Sequence, residues 1–317
     1  LFLAIILPLT PQEAYYWSWS RDLALSYFDH PPLASYSIWM TTLVFGQTIF
    51  GIKLAAVLWY LAMNVIWASM IQEMFDNSRQ TFWTLLALNA SIVFELYGFV
   101  ITPDTPLLFT WTATIYALWK LVQTENHKWW YVAGLFMGLA WLGKYSGIML
   151  VPSVLLFTIV SKNQRKWLLT PHPYLGVVLA ILVFSPVLIW NAQHDWMSFA
   201  FQGSQRASGM GHWKVKHFGE LLGSQFFILS PYLFVLIFAT LIRYGRKLFS
   251  GLEDKILLLL SSGLVTSVFF VAVSFRSLVK MNWLAPAYWS LVILGIYHLF
   301  QSPHRFNRMR AGIFSSL

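Results

Sequence analysis

Apolar runs recur along the whole 317-residue chain, roughly at 54–72, 81–100, 105–121, 129–143, 145–160, 174–191, 223–242, 256–275 and 282–300. Each is near the roughly 20 residues with which a helix crosses a bilayer, although 129–143 and 145–160 are on the short side. Charged residues make up 10% of the chain, where a soluble domain carries about 25%. The pattern predicts an all-α, polytopic membrane protein, not a soluble domain with one anchor. Residues 1–9, "LFLAIILPL", begin without Met and without the basic start of a signal peptide. They read as the tail of a first helix that starts upstream of this chain, which makes about ten spans in all. No internal repeat, low-complexity tract or soluble domain interrupts the pattern, so 1–317 reads as one membrane domain, with room for a C-terminal portion after Leu317.

The net charge of +9 does not point to nucleic acid. The basic residues form short clusters between apolar runs, which suits anionic lipid headgroups and the positive-inside bias. Seventeen Trp suit long membrane–water interfaces. Without cysteine there is no disulfide or thiolate chemistry, and the redox compartment cannot be read. Residues 34–50 decide the topology. If they lie in the interface as a helical segment, instead of spanning, one face collects Arg79, Lys120, Lys128, Lys162, Arg165, Lys166, Arg243, Arg246, Lys247, Lys255, Arg305, Arg308 and Arg310. That is thirteen of the 21 Lys and Arg, as expected of cytoplasmic loops. The other face then carries Glu13, Asp29, His30, Asp104, Lys144, the 192–222 loop with Arg206, and Arg276 with Lys280.

Chemistry concentrates on that second face. "TPQEAYYWSWSRDLALSYFDHPPL", residues 10–33, puts Glu13, Asp29 and His30 among aromatics that include Tyr16. Glu13 could be only an acid favoured at a helix start, and Asp29 only the cap of the next helix. Two carboxylates and a histidine at a cavity mouth also suit general-base or metal-ligand work. Asp104, between the prolines of "TPDTP", reads either as an N-cap or as a functional acid. Glu95 lies inside an apolar run, where an ionisable group is a functional candidate. Lys144, flanked by Gly143 and Gly147, is either a snorkelling lysine or a phosphate clamp. The loop "WNAQHDWMSFAFQGSQRASGMGHWKVKHFGE" mixes aromatics with His194, Gln202 and Arg206, a composition that suits a sugar ring and a phosphate, or an ordinary amphipathic loop. Its Gly-rich stretch suggests a lid. Arg276 and Lys280 could serve the same phosphate or anchor the chain. No HExxH, Walker, GxGxxG or zinc-ligand pattern is present.

Five stretches, "PQEAYYWSWSRDLALSYFDHPPL", "TPDTPLL", "GLAWLGKYSGIML", "WNAQHDWMSFAFQ" and "KMNWLAPAYW", occur in an order and at separations that resemble one family. It is the bacterial GT-C membrane glycosyltransferases of the dolichyl-phosphate-mannose–protein mannosyltransferase and aminoarabinose-transferase-like type, glycosyltransferase family 83. The resemblance implies a GT-C fold with an interfacial helical segment in the first outer loop. It further implies transfer of a sugar from a polyprenyl-phosphate donor to a lipid, glycan or protein acceptor, at the periplasmic face of a bacterial inner membrane and with inversion. In the family an acid of the first outer loop is the base. The usual Asp-Glu pair reads Gln12-Glu13 here, which leaves Glu13 as the expected base and Asp29 as its understudy. Asp104 matches the second acid and Lys144 the lysine beside the donor phosphate, with Arg206 or Lys280 assisting. Tyr16, His30, Gln202 and His194 are expected to contact substrate. No cofactor is required; a divalent ion bridging Glu13 and Asp104 is compatible with two carboxylates. Two other readings stay open: a lipid or small-molecule transporter with Glu95 and Lys144 as a buried charge pair, and a non-catalytic lipid-binding subunit.

Overall fold

The computed structural model describes residues 2–205, 213 and 215–301. Those residues are helical, with turns and 3-10 segments between helices and no strand among them. The opening segment forms a short amphipathic piece, Pro11–Ser20, started by a capping box. The Thr10 hydroxyl accepts from the Glu13 amide (3.2 Å), and the Thr10 amide donates to the Glu13 carboxylate (2.9 Å), with Pro11 at the first helical position. Leu33–Phe45 follows, and Gly46, at φ 72, ends it. Its 13 residues rise only about 20 Å, short of a hydrocarbon core of about 30 Å. Thr48 and Asn77 cap the next two helices, Ile49–Phe75 and Ser78–Asn89, with their side chains.

Among the described residues, three helices are long and apolar enough to cross a membrane: Ile49–Phe75, His172–Gln193 and Asp254–Ser274. Two expected spans are broken. The run at 81–100 divides into Ser78–Asn89, the turn Ile92–Glu95 and a 3-10 segment, Leu96–Gly98. It breaks at Asn89-Ala90-Ser91, where polar side chains offer the backbone other partners; Asn89 Nδ2 donates to Asn64 (2.7 Å). The run at 223–242 is two helices, Val215–Ile228 and Pro231–Gly245, bent by 119°. Ser230 sits at φ 69 there, and Pro231 can only begin the second helix. The expected span at 145–160 begins as a 3-10 turn, Tyr145–Met149, before Leu150–Val160.

The core is built on aromatic weight. Trp67, Trp111 and Trp289 are fully buried, with the Trp67 and Trp289 rings 6.4 Å apart and Trp111 donating its indole N–H to Ser262 (3.0 Å). Lys128–Gly143 packs between Asp104–Thr124 and His172–Gln193. The second crossing is close because Gly134 and Gly176 meet backbone to backbone, and a Cβ on Gly134 would lie 2.2 Å from the Gly176 carbonyl. Small residues at such crossings are the usual device of membrane helix pairs. Leu61, Val65, Leu182, Phe227 and Val235 point outward and are exposed, an apolar exterior that a bilayer would cover.

Candidate active site

Asp104 is the first residue of its helix, directly after Pro103, yet its side chain caps nothing. Its carboxylate, 5% exposed, turns sideways and takes Lys144 Nζ on both oxygens (2.8 and 2.9 Å) and Asn282 Nδ2 on one (2.8 Å). The cap alternative for Asp104 is therefore excluded. Lys144 reaches it from the point where Lys128–Gly143 stops and the chain turns extended, at φ −159. Gly147 permits that turn, since a Cβ there would meet the Ala140 carbonyl at 2.7 Å. Two contacts from one buried carboxylate hold the lysine side chain in a fixed direction.

Lys144 lines a cavity of about 490 Å³ together with His30, Tyr145, Gln202, Lys280 and Trp283. The lining also includes the apolar Ile148, Met149, Phe269, Phe270, Val273 and Leu278. Four of the expected contacts, Lys144, His30, Gln202 and Lys280, thus meet in one space, although their segments are far apart in the chain. Lys280 is exposed at the rim, whereas Lys144 is buried.

The opening loop forms one wall. Pro32, not Asp29, occupies the cap position of Leu33–Phe45, so the cap alternative for Asp29 is excluded too. Asp29 is half-buried. Its carboxylate accepts from the Tyr15 hydroxyl (3.2 Å), and its carbonyl accepts from Gln202 Nε2 (2.5 Å). Phe28 packs on Phe201 (4.8 Å between centroids), and Tyr145 bonds Ser198 (2.6 Å), so the 197–202 stretch is seated on the loop. Burial, and then the Asp29 charge, push the Tyr15 phenol up to about 12. Burial raises Tyr16 further, with added contributions from the charges of Asp29 and Asp104. Both phenols are therefore neutral donors at physiological pH. Tyr16 also meets the His30 ring edge-on (5.9 Å).

Glu13 occupies a different environment. It has no exposed surface, and Lys53 Nζ lies 2.9 Å from each of its oxygens. The capping box accounts for part of its role, and Lys53, which sequence reasoning passed over, accounts for the rest. The signal was a single lysine opening the apolar run "GIKLAAVLWY". Asn282 was equally missed, inside "KMNWLAPAYW", because no pattern marks an amide that bonds a carboxylate 178 positions away. Glu13 and Asp104 are each spent on their own lysine, so an ion bridging them would have to displace both ammonium groups. Among the described residues no group of three or more His, Cys, Asp and Glu is placed to hold a metal ion. His194 is not on the cavity wall; its ring stacks on Trp190 (4.1 Å) and its Nδ1 donates to the Trp190 carbonyl (2.7 Å). Arg206 lies outside the described residues. Glu95 is exposed and Lys144 belongs to Asp104, so the buried Glu95–Lys144 pair of the transporter reading does not exist.

The fold is shared with ArnT from Cupriavidus metallidurans. The structure of that protein bound to undecaprenyl phosphate superposes with a TM-score of 0.74 over 98% of this chain and 60% of that one, at 18% identity. The family model for dolichyl-phosphate-mannose-protein mannosyltransferase matches residues 29–190, just over half of the sequence. The chain belongs to that family, the one its motifs resemble. Among curated proteins it is 26% identical over 299 residues to the lipid A galacturonosyltransferase RgtD of Rhizobium johnstonii, covering 91% of this chain and 60% of the relative. It is 24% identical over 197 residues to the undecaprenyl phosphate-α-4-amino-4-deoxy-L-arabinose arabinosyl transferase of Pseudomonas savastanoi pv. phaseolicola, covering 58% of this chain and 36% of the relative. The chain thus spans 60% or less of the length of these relatives.

Proposed function

We propose that the chain is the membrane domain of a glycosyltransferase that moves a sugar from a polyprenyl-phosphate donor to a lipid acceptor. The observation that carries this reading is Lys144, held by Asp104 and Asn282, lining a cavity that combines charged and polar side chains with apolar ones. A phosphate on a prenyl chain has that same combination of charge and hydrocarbon. The names of the relatives, a lipid A galacturonosyltransferase and an undecaprenyl-phosphate aminoarabinose transferase, agree with it.

In this reading the prenyl chain lies against Phe269, Phe270, Val273 and Leu278, and the phosphate oxygens meet Lys144, with the exposed Lys280 nearby in the lining. His30 and Gln202 line the sugar side, Tyr16 packs behind His30, and His194, stacked on Trp190, steadies the loop. Asp29 is the base. It is half-buried, next in the chain to the cavity-lining His30, and oriented by Tyr15, whereas Glu13 is closed off. The acceptor hydroxyl gives its proton to Asp29 as its oxygen bonds to the anomeric carbon from the face opposite the phosphate. The bond from that carbon to the phosphate oxygen breaks, the electron pair leaves on the phosphate, and configuration inverts. Lys144 stabilises the charge gathering on the leaving oxygen. A divalent ion is not needed for this step.

The same reading places Leu33–Phe45 in the outer membrane interface. It keeps about ten spans by counting the mixed and bent helices with the three long ones, and it faces the cavity to the periplasm of a bacterial inner membrane. That orientation leaves the thirteen clustered basic residues on the cytoplasmic side. The test is transfer of labelled galacturonic acid or aminoarabinose from undecaprenyl phosphate to lipid A in membranes, comparing wild type with Lys144→Met. Transfer by the wild type that falls at least tenfold in the variant is expected. Equal transfer by both would overturn the assignment of the phosphate site.

A further inference from the structure

We infer that Lys53, through its buried pair with Glu13, is a positioning residue that sets both sides of the cavity mouth. This rests on the proposed donor-phosphate site and adds to it a residue outside the cavity. The two side chains are 1% and 0% exposed. Burying two opposite charges is costly unless the geometry is good and the remaining valences are satisfied. Here they are. Lys53 Nζ sits 2.9 Å from both Glu13 oxygens and 3.4 Å from the Phe99 carbonyl. Glu13 Oε2 also accepts from the Thr10 amide (2.9 Å), and Oε1 from the Ile101 amide (3.4 Å).

Those contacts join three separate pieces of chain: the opening helix, the start of Ile49–Phe75, and the connector at 99–101. Each piece leads to the cavity. Three residues after Ile101 comes Asp104, which holds Lys144. One turn after Glu13, on the same side of its helix, comes Tyr16, which packs against His30. Tyr16, Ile38, Ile52, Ala55, Ala56 and Ile101 form a small apolar cluster around the pair and keep water from it. A base must reach its substrate, and Glu13 cannot do so without breaking this arrangement. Lys53 and Glu13 therefore act on the reaction through the placement of Asp104 and His30.

The pairing has a signature that a base would not have. Removing one partner strands a buried charge, whereas removing both leaves none. The experiment uses the full chain in nanodiscs, with Lys53→Met, Glu13→Gln and the double variant. Two readouts are taken: binding of undecaprenyl phosphate by tryptophan fluorescence, and the kcat and KM of sugar transfer. The expected result is at least a tenfold loss of lipid affinity and a raised donor KM in each single variant. The double variant should return to within about threefold of wild type in affinity, with kcat within about tenfold. Losses that simply add in the double variant would overturn the inference. So would a double variant that binds the lipid normally but has lost kcat a thousandfold, because Glu13 would then be the base. If no variant and no wild type transfers sugar, while affinity still falls in the singles and recovers in the double, the positioning role stands and the transferase reading fails.

Discussion

In the proposed reaction Asp29 and Lys144 perform different tasks, and substitution separates them. Asp29→Asn should reduce kcat by about 10²–10⁴-fold, the usual worth of a general base, while undecaprenyl phosphate still binds; lost lipid binding would instead place Asp29 in the phosphate site. Tyr15→Phe tests the hydrogen bond that orients Asp29 (3.2 Å). A donor to a carboxylate favours its charged form, so losing it should move the acid limb of the kcat/KM profile to higher pH. The basic limb should not move below pH 10, because the Tyr15 phenol, at about 12, is still protonated there. A shifted basic limb with an unmoved acid limb would count against this arrangement. At this scale the sequence was partly legible. Lys144, His30, Gln202 and Lys280 could be picked out as polar groups with little other reason to sit on an outer face. Lys53 and Asn282 could not, since their roles come from partners 40 and 178 positions away.

Among the elements, helix existence was easy to read and helix continuity was not. Apolar length located the nine runs, but the breaks after Asn89 and at Ser230 depend on how an amide bonding the Leu85 carbonyl and a proline compete locally with the helix ladder. Periodicity does not weigh that competition. The crossing of Lys128–Gly143 on His172–Gln193 gives the prediction proper to this scale. Gly134→Ala places a Cβ 2.2 Å from the Gly176 carbonyl, and overpacking of that kind costs about 1–3 kcal/mol. Thermal unfolding in detergent should show a lower midpoint. Gly219→Ala is the matched control. Its Cβ meets nothing within 4 Å on an exposed helical face, so it should gain about 0.5–1 kcal/mol from helix propensity. A destabilised control and an unaffected Gly134→Ala would show that the crossing is not tight.

At the scale of the whole molecule, two lysine–carboxylate pairs divide the work. Glu13–Lys53 is sealed and joins the opening loop to the helix bundle. Asp104 holds Lys144 in the lining of a cavity that combines charged and apolar side chains. The family was legible because its motifs keep their order along the chain, but the division of labour between the acids was not. Glu13 and Asp29 look alike in sequence, and only their burial separates them.

The proposed reaction turns on Lys144, held in place by Asp104, meeting a lipid-borne phosphate. Its most direct test is equilibrium binding of undecaprenyl phosphate to the purified chain in nanodiscs, wild type against Lys144→Met. Specific binding by the wild type, weakened at least tenfold in Lys144→Met, is the predicted result. Equal affinity in both, or no binding by a folded wild type, would contradict it.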